Sequence, residues 1–326
     1  MKVAVTGITG FIGKNLFHKI VDDDNKYLCL VRETSKTAGL GKAENIEFRV
    51  VNFEHANLTV QLKGIDVVIH MIGQMGGYGV PAEDYMRINC NLTKNMIDAC
   101  KDAKVKQFIY LSTPGVQGFG KRLCCEEEPY APRNLYERTK AEAEKIIIQN
   151  LSGTGVNYTI IRPDFVYGPG DVRRIKMYRN IRSHRFVLTT SGKSYLHPTY
   201  VMDVVQGVIK TIGNPCAYNE IFNLSAERDI SVKEYLDTIA EYFGTKIIHV
   251  NIGYYASIYL AGAVDKLYKV LLKREGFVSK NKIDFLSLDH STSHEKASKL
   301  LGYHPQYSFK EGLAETMKWC KTKKLI

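Results

Sequence analysis

The sequence predicts a doubly wound, parallel α/β sheet with a smaller C-terminal lobe. Three observations carry this. Short, unbroken apolar runs alternate with helix-length segments through the first half of the chain, as in strands buried on both faces. A glycine-rich turn follows the first of these runs immediately. From about Gly168 the alternation gives way to Gly, Pro, Arg and aromatic residues mixed with short helical pieces. With 326 residues, 44% of them hydrophobic and 24% charged, the chain is long and apolar enough for a full core, and its composition is not that of a disordered protein.

The expected elements run in order. Lys2–Thr6 is the first strand and Phe11–Val21 the first helix, with Phe11, Leu16, Phe17, Ile20 and Val21 at helical spacing. Strands follow at Tyr27–Val31, Ile46–Val51, Val67–His70, Phe108–Leu111 and Tyr158–Ile161, with long helices at Tyr85–Ala103 and Tyr136–Asn150. Val201–Ile212 reads as a helix returning to the main sheet. The organisation expected is therefore a nucleotide-binding unit of residues 1–168 plus about 196–214, and a substrate lobe of 169–195 and 215–326.

The first strand leads straight into Gly7-Ile8-Thr9-Gly10-Phe11-Ile12-Gly13. Glycines at this spacing let backbone approach a pyrophosphate, and the helix that follows offers unpaired N–H groups and a positive dipole end. This is the Rossmann arrangement for a dinucleotide. The second strand selects the dinucleotide. Where NAD-binding chains carry a carboxylate for the ribose 2′-hydroxyl, this one has Arg32, followed by Ser35 and Lys36. A guanidinium fork and a second cation suit a 2′-phosphate, so NADP(H) is favoured; Glu33 keeps NAD(H) open.

Tyr136 and Lys140 lie four residues apart, on one face of a helix. A phenol is a poor proton donor or acceptor near neutrality, and a neighbouring ammonium would pull its pKa toward the working range. The strand ending at Leu111 runs into Ser112 and Thr113, where a hydroxyl could hold a substrate oxygen.

With these motifs in place the chain resembles an extended short-chain dehydrogenase/reductase of the NAD(P)-dependent epimerase/dehydratase superfamily. The resemblance rests on Thr6–Gly13, Gly64–His70, Asn89, Tyr110–Thr113, Tyr136–Lys140, Ile161–Pro163 with Val166–Asp171, His197–Val204, Asn223 with Leu224, and Lys296–Pro305. It implies that Tyr136 is the general acid/base, that Lys140 lowers its pKa and binds ribose, and that Thr113 rather than Ser112 is the active hydroxyl. It also implies that Ile72 and Gly73 lie beside the adenosine ribose and that Pro163 and Val166 cover the nicotinamide. Asn52 and Phe53 stand where many relatives carry an Asp that contacts adenine. A homodimer through Tyr85–Ala103 and Tyr136–Asn150 is a further implication.

The substrate is less legible. Dehydratase relatives place an Asp-Glu pair beside the catalytic hydroxyl; Pro114 and Gly115 stand here instead, which disfavours sugar dehydration. Nucleotide-sugar relatives carry an Arg where this chain has Leu196, and the text Ser194–Tyr200 looks more like the branch of 3β-hydroxysteroid dehydrogenases and dihydroflavonol-type reductases. Three readings follow: a reductase or dehydrogenase acting on a carbonyl or secondary alcohol, a nucleotide-sugar epimerase that uses Arg173, Arg174, Arg179, Arg182 or Arg185 to grip a diphosphate, and a cofactor-sensing protein without turnover.

The net charge of +11 favours anionic partners, but the basic residues are scattered and nucleic-acid binding is not supported. Seven cysteines without a Cys-x-x-Cys pair argue against a disulfide framework or zinc site and for a cytoplasmic setting, with no signal peptide expected. His70 at a strand end reads as a packing residue, and Glu126, Glu127 and Glu128 as a solvated loop. The uncharged run from Tyr254 stops at Asp265 and Lys266, too short for a transmembrane helix. It reads as a helix of the small lobe in preference to a membrane-surface segment.

Overall fold

The computed structural model describes residues 1–37, 39–54, 57–76, 79–272 and 280–326. Seven strands, β1 (Lys2–Thr6), β2 (Lys26–Val31), β3 (Ile46–Val50), β4 (Val67–His70), β5 (Gln107–Leu111), β7 (Asn157–Pro163) and β10 (Glu220–Leu224), form one sheet in the order β10-β7-β5-β4-β1-β2-β3. Every pairing in it is parallel. Parallel strands require crossovers that cover both faces, which is why β4 and β5 are buried along their whole length and read as apolar runs bounded by His70 and Gln107. Alternate residues serve opposite faces. Val3, Val5, Ile69, Ile109 and Leu111 pack with helices α1 (Phe11–Ile20) and α7 (Val201–Thr211). Ala4, Val68, Phe108 and Tyr110 pack with α2 (Leu58–Gln61), α4 (Leu92–Asp102) and α5 (Leu135–Leu151).

The strand order reverses between β1 and β4, so the loops after these two strands diverge and leave a crevice at their C-terminal ends. Beyond it lies a sheet of β11 (Ile230–Ser231), β9 (Tyr195–Leu196), β13 (His290–Thr292) and β6 (Lys121–Cys124). A further pair, β8 (Val187–Leu188) with β12 (Ile248–His249), joins helices α6 (Ile175–Arg182), α8 (Val232–Tyr242), α9 (Tyr254–Leu272), α10 (Lys280–Ser287) and α12 (Phe309–Thr322) in this region.

Two expectations need correction. The lobe boundary at residue 215 does not follow the chain, because β10 is the edge strand of the main sheet and α11 (Glu295–Leu301) packs into the core of its α1/α7 face. The cause is that β7 would otherwise be an open edge, and a parallel strand supplied from later in the chain covers it. The single helix expected over Tyr85–Ala103 is α3 (Ala82–Tyr85), a π-helical stretch Met86–Asn91, and α4. The wider π turn accompanies inward-facing Asn89, which is fully buried and whose amide is hydrogen-bonded outside its own helix.

Helix α5 is held to the sheet by a buried ion pair. Arg162 on β7 meets Glu144 at 2.6 and 3.1 Å, with side-chain exposures of 2% and 0%. Tyr130 donates to the same carboxylate at 2.8 Å, and Arg162 also donates to the Glu126 carbonyl at 3.1 Å. The Glu126 side chain is itself buried and accepts from the Asn223 backbone at 2.7 Å, so this glutamate is not part of a solvated loop as the sequence suggested. Truncating one member of such a pair leaves a charge in the core without compensation. Glu144→Gln should therefore lower unfolding free energy by about 3–5 kcal/mol, read as a shifted urea midpoint.

Candidate active site

The glycine turn is built as a cradle. Gly7 has φ +80°, and a Cβ there would lie 2.8 Å from the Met71 carbonyl carbon on the neighbouring β4 exit. A Cβ on Gly13 would sit 2.3 Å from the Gly7 carbonyl oxygen, so glycine is needed for α1 to start against the turn. Gly10 caps α1 with no side-chain acceptor, and the first turn holds no acidic residue. The helix start thus keeps unpaired N–H groups and its positive end for an anion. Thr9 is partly exposed on this turn, while Phe11 and Ile12 pack against Tyr167, Tyr200 and Val201. Asn15 locks the helix to the far loop by donating to the Phe11 and Pro169 carbonyls, both at 2.9 Å. These features fit a dinucleotide pyrophosphate.

At the exit of β2, Arg32 and Lys36 are exposed. The Arg32 backbone donates to Ser35 Oγ at 3.1 Å and the Ser35 backbone returns a bond to the Arg32 carbonyl at 2.9 Å, which sets the turn that presents both. Glu33 is also exposed. The Phe53 side chain is 6% exposed and packs with Leu28, Leu30 and Leu58, whereas Asn52 is exposed. Phe53 turns inward together with Val51, on the opposite face of the sheet from Ile46 and Phe48 of β3.

On the β4 side, Ile72 is half-buried, and a Cβ on Gly73 would approach Asn89 Oδ1 at 3.6 Å and Lys140 Nζ at 3.8 Å. Asn89 accepts from the Gln74 backbone at 2.7 Å, donates to its carbonyl at 3.1 Å, and donates to Thr139 Oγ1 at 2.9 Å. One buried amide thus fixes the β4 loop to the helix that carries Tyr136 and Lys140. Pro163 is buried at the end of β7, and Val166 packs partly exposed beyond it.

Thr113, Tyr136 and Lys140 converge where β5 ends and α5 begins. Thr113 caps the turn after β5, accepting from the Gly115 backbone at 3.3 Å. Asn134 caps α5, accepting from the Glu137 backbone at 3.0 Å, and the Glu137 side chain answers by accepting from Asn134 Nδ2 and the Arg133 backbone, both at 2.7 Å. The expected electrostatics are different, however. Burial pushes the Tyr136 phenol up to about 12; the charge of Arg173 and the Thr113 hydroxyl oppose that rise, and Glu137 adds to it. The Lys140 ammonium is engaged elsewhere. It donates to Tyr110 OH at 2.8 Å and to the Leu111 carbonyl at 2.5 Å, and burial pulls its pKa down to about 7 against an opposing pull from Glu144. The four-residue spacing did place both side chains on one helix face, but the longer one turned down to satisfy the end of β5. Tyr110 was not foreseen as its partner. The signal was strand alternation, which puts Tyr110 with Phe108 on the α5 side of the sheet.

His70 is a structural residue, as its strand-end position suggested. It is fully buried between Thr6 (2.8 Å) and Thr93 (3.3 Å), and burial draws its pKa down to about 3. Among the basic residues in 173–185, Arg173 opposes the rise of the phenol; it is half exposed and bonds Asp171 Oδ1 and Met75 Sδ, each at 3.2 Å. Arg174 is paired with Asp171 and stacked over Phe165 at 4.2 Å, and Arg179 donates to the Leu325 carbonyl at 2.7 Å. No group of residues suited to a metal ion occurs among the described residues.

Comparison with known proteins places this geometry. The family model described as "NAD dependent epimerase/dehydratase family" matches residues 3–225. A 4-hydroxy-2-methyl-3-oxo-4-farnesyl-3,4-dihydroquinoline-1-oxide ketoreductase from Stigmatella aurantiaca is 25% identical over 96% of this chain and 95% of its own length. A 3-beta-hydroxysteroid dehydrogenase from Mycolicibacterium neoaurum is 26% identical over 97% of this chain and 90% of its own. Among solved structures, the UDP-glucuronic acid 4-epimerase from Bacillus cereus in complex with UDP-glucuronic acid and NAD superposes with a TM-score of 0.79 at 20% identity, over 99% of this chain and 100% of that one. That last likeness is one of fold. With a glycine cradle at the β1/β4 switch point, a Thr-Tyr-Lys set at its rim and a family match over most of the chain, this protein belongs to the NAD-dependent epimerase/dehydratase family of NAD(P)-dependent enzymes.

Proposed function

We propose that this chain is an oxidoreductase that prefers NADP(H) and moves hydride between the nicotinamide and a carbonyl or secondary alcohol of a small organic substrate. The observation that carries the reading is the meeting of Thr113 and Tyr136 above Lys140, at the rim of a cradle suited to a dinucleotide. The names of the ketoreductase and steroid dehydrogenase relatives support the same class of reaction.

When bound, the dinucleotide supplies or accepts hydride; the proton is the protein's task. A phenol held near 12 is protonated at neutral pH, which suits Tyr136 to donate its proton to the substrate oxygen during reduction. The Thr113 hydroxyl accepts from Gly115 and bonds the Tyr136 phenol, so the two hydroxyls together form the position a substrate oxygen would take. Lys140 has spent two of its three donors, and the third is the one a ribose hydroxyl would take. Gly7, Thr9, Gly10, Phe11, Ile12 and Gly13 would hold the pyrophosphate through backbone, while Ile72, Gly73, Pro163 and Val166 would line the ribose and nicotinamide. Arg32, Ser35 and Lys36 would grip the 2′-phosphate and Asn52 would face adenine. Glu33, exposed beside Arg32, keeps NAD(H) use open.

The second reading, a nucleotide-sugar epimerase, is favoured by one observation. Arg173 lies half exposed beside Tyr136, where it could meet a substrate diphosphate.

Three outcomes test these assignments. Tyr136→Phe should retain NADPH binding, measured by fluorescence, while turnover falls ~10²–10⁴-fold. Net NADPH oxidation with a ketone supports the reductase, whereas product formed without net cofactor change supports the epimerase. Arg32→Asp should shift the kcat/KM ratio from NADP toward NAD; an unchanged ratio removes the 2′-phosphate role. For Lys140, the folded pKa of about 7 lies below the usual 10.5, so between these values the unfolded chain binds more protons and stability rises with pH. The burial cost is complete below about 7. Relative to wild type, Lys140→Met should therefore be least disadvantaged at about pH 6 and lose ground by about pH 9, read from urea midpoints.

A further inference from the structure

Helix α9 turns its apolar side outward. Tyr254, Ser257, Ala261, Val264 and Tyr268 repeat along the side that faces the protein. The opposite side carries Tyr255 (85% exposed), Tyr259 (80%), Leu260, Leu267, Val270 (69%) and Leu271 (68%). Lys266 is the only charged residue among the exposed described positions of this helix. A surface helix normally shows the reverse pattern. The apolar surface continues backward along the chain through exposed Ile252, Val250 and Ile248, and Ile248 is in register with exposed Val187 on β8.

Basic residues border this surface. Exposed Lys246 precedes Ile248 by two residues, and exposed Arg185 precedes Val187 by two. Arg185 shares a surface depression with Arg179, Arg182 and Lys324, which Leu325 and Ile326 also line. Apolar and aromatic residues with a basic margin are complementary to the headgroup region of an anionic bilayer. The chain carries a net charge of +11, which adds long-range attraction of the same sign. No helix among the described residues is long and apolar enough to cross a membrane, so the contact is one of lying on the surface.

The same helix is tied to the catalytic one. Tyr254 at its start donates to Asp284 Oδ1 at 2.8 Å, and Arg133 meets the other oxygen of that carboxylate at 3.2 Å. The Arg133 backbone then donates to Glu137, beside Tyr136. We infer that the outer face of α9, with the β8/β12 edge and its basic margin, docks on an anionic lipid surface and holds the mouth of the site toward substrates dissolved in the bilayer. The docking stands on its own; the delivery of a lipophilic ketone or alcohol rests on the oxidoreductase reading.

Co-sedimentation of the full chain with phosphatidylcholine vesicles, with and without phosphatidylglycerol, tests this. Binding should require the anionic lipid, weaken with salt, and fall by about tenfold or more in the double variant Leu260→Glu, Leu271→Glu, since each change removes a buried-leucine contribution and adds repulsion. Both positions are exposed, and unchanged circular dichroism and NADPH binding would show the variant folded. Wild type that stays in the supernatant, or binding unaltered by the variant, overturns the proposal. So does a dimer that the variant dissociates, with no vesicle binding, because the face then belongs to a second copy. Activity of the variant on a short water-soluble ketone should match wild type. If no ketone is turned over by either protein while vesicle binding holds, the reading of the reaction fails and the docking stands.

Discussion

The ion pair between Arg162 and Glu144 is the constraint through which the sheet and helix α5 share one frame. Two charges removed from water can coexist only with close geometry and satisfied surroundings, and here Tyr130 and the Glu126 carbonyl complete the set. The pair sets α5 against β7, and with it the position of Lys140 one turn earlier and of Tyr136 a turn before that. On the other side, the same strand leads directly into Pro163. Asn89 performs the equivalent task from the β4 side, where a π turn brings its amide to the loop and to Thr139. The rim of the site is thus held from two directions by buried polar groups that are costly to disturb.

The glycine cradle depends on backbone more than on side chains. Gly7 and Gly13 are positions where any Cβ would overlap neighbouring main chain, and Gly10 leaves the helix start without a competing acceptor. These are local requirements, and a local pattern records them. The electrostatics of the phenol are not local. The spacing of Tyr136 and Lys140 suggested an ammonium acting on a phenol, yet the depth of the lysine and the free carbonyl at the end of β5 draw that ammonium downward. Besides burial, what acts on the phenol is its neighbour Glu137, Thr113, and Arg173, thirty-seven residues later in the chain.

The outward face of α9 follows a related logic. In the sequence, Tyr254–Leu272 is merely apolar, and an apolar helix of that length is ordinarily assigned to an interior. Which side it buries is set by the partners that α10 and the β8/β12 edge offer, and they take only the side of Ser257 and Ala261.

By itself the sequence determined the strands of the parallel sheet from β1 to β7 and the glycine turn, and it singled out the Thr113, Tyr136 and Lys140 set proposed for catalysis. It did so because alternation, glycine spacing and helix caps are read within a few neighbouring residues. Tertiary structure alone decided the seventh strand, the inward turn of Phe53, the burial of Glu126, the partners of Lys140 and the exposed side of α9. Each of those depends on which distant segment arrives to pair, pack or accept a hydrogen bond, and no periodicity within a segment encodes its partner.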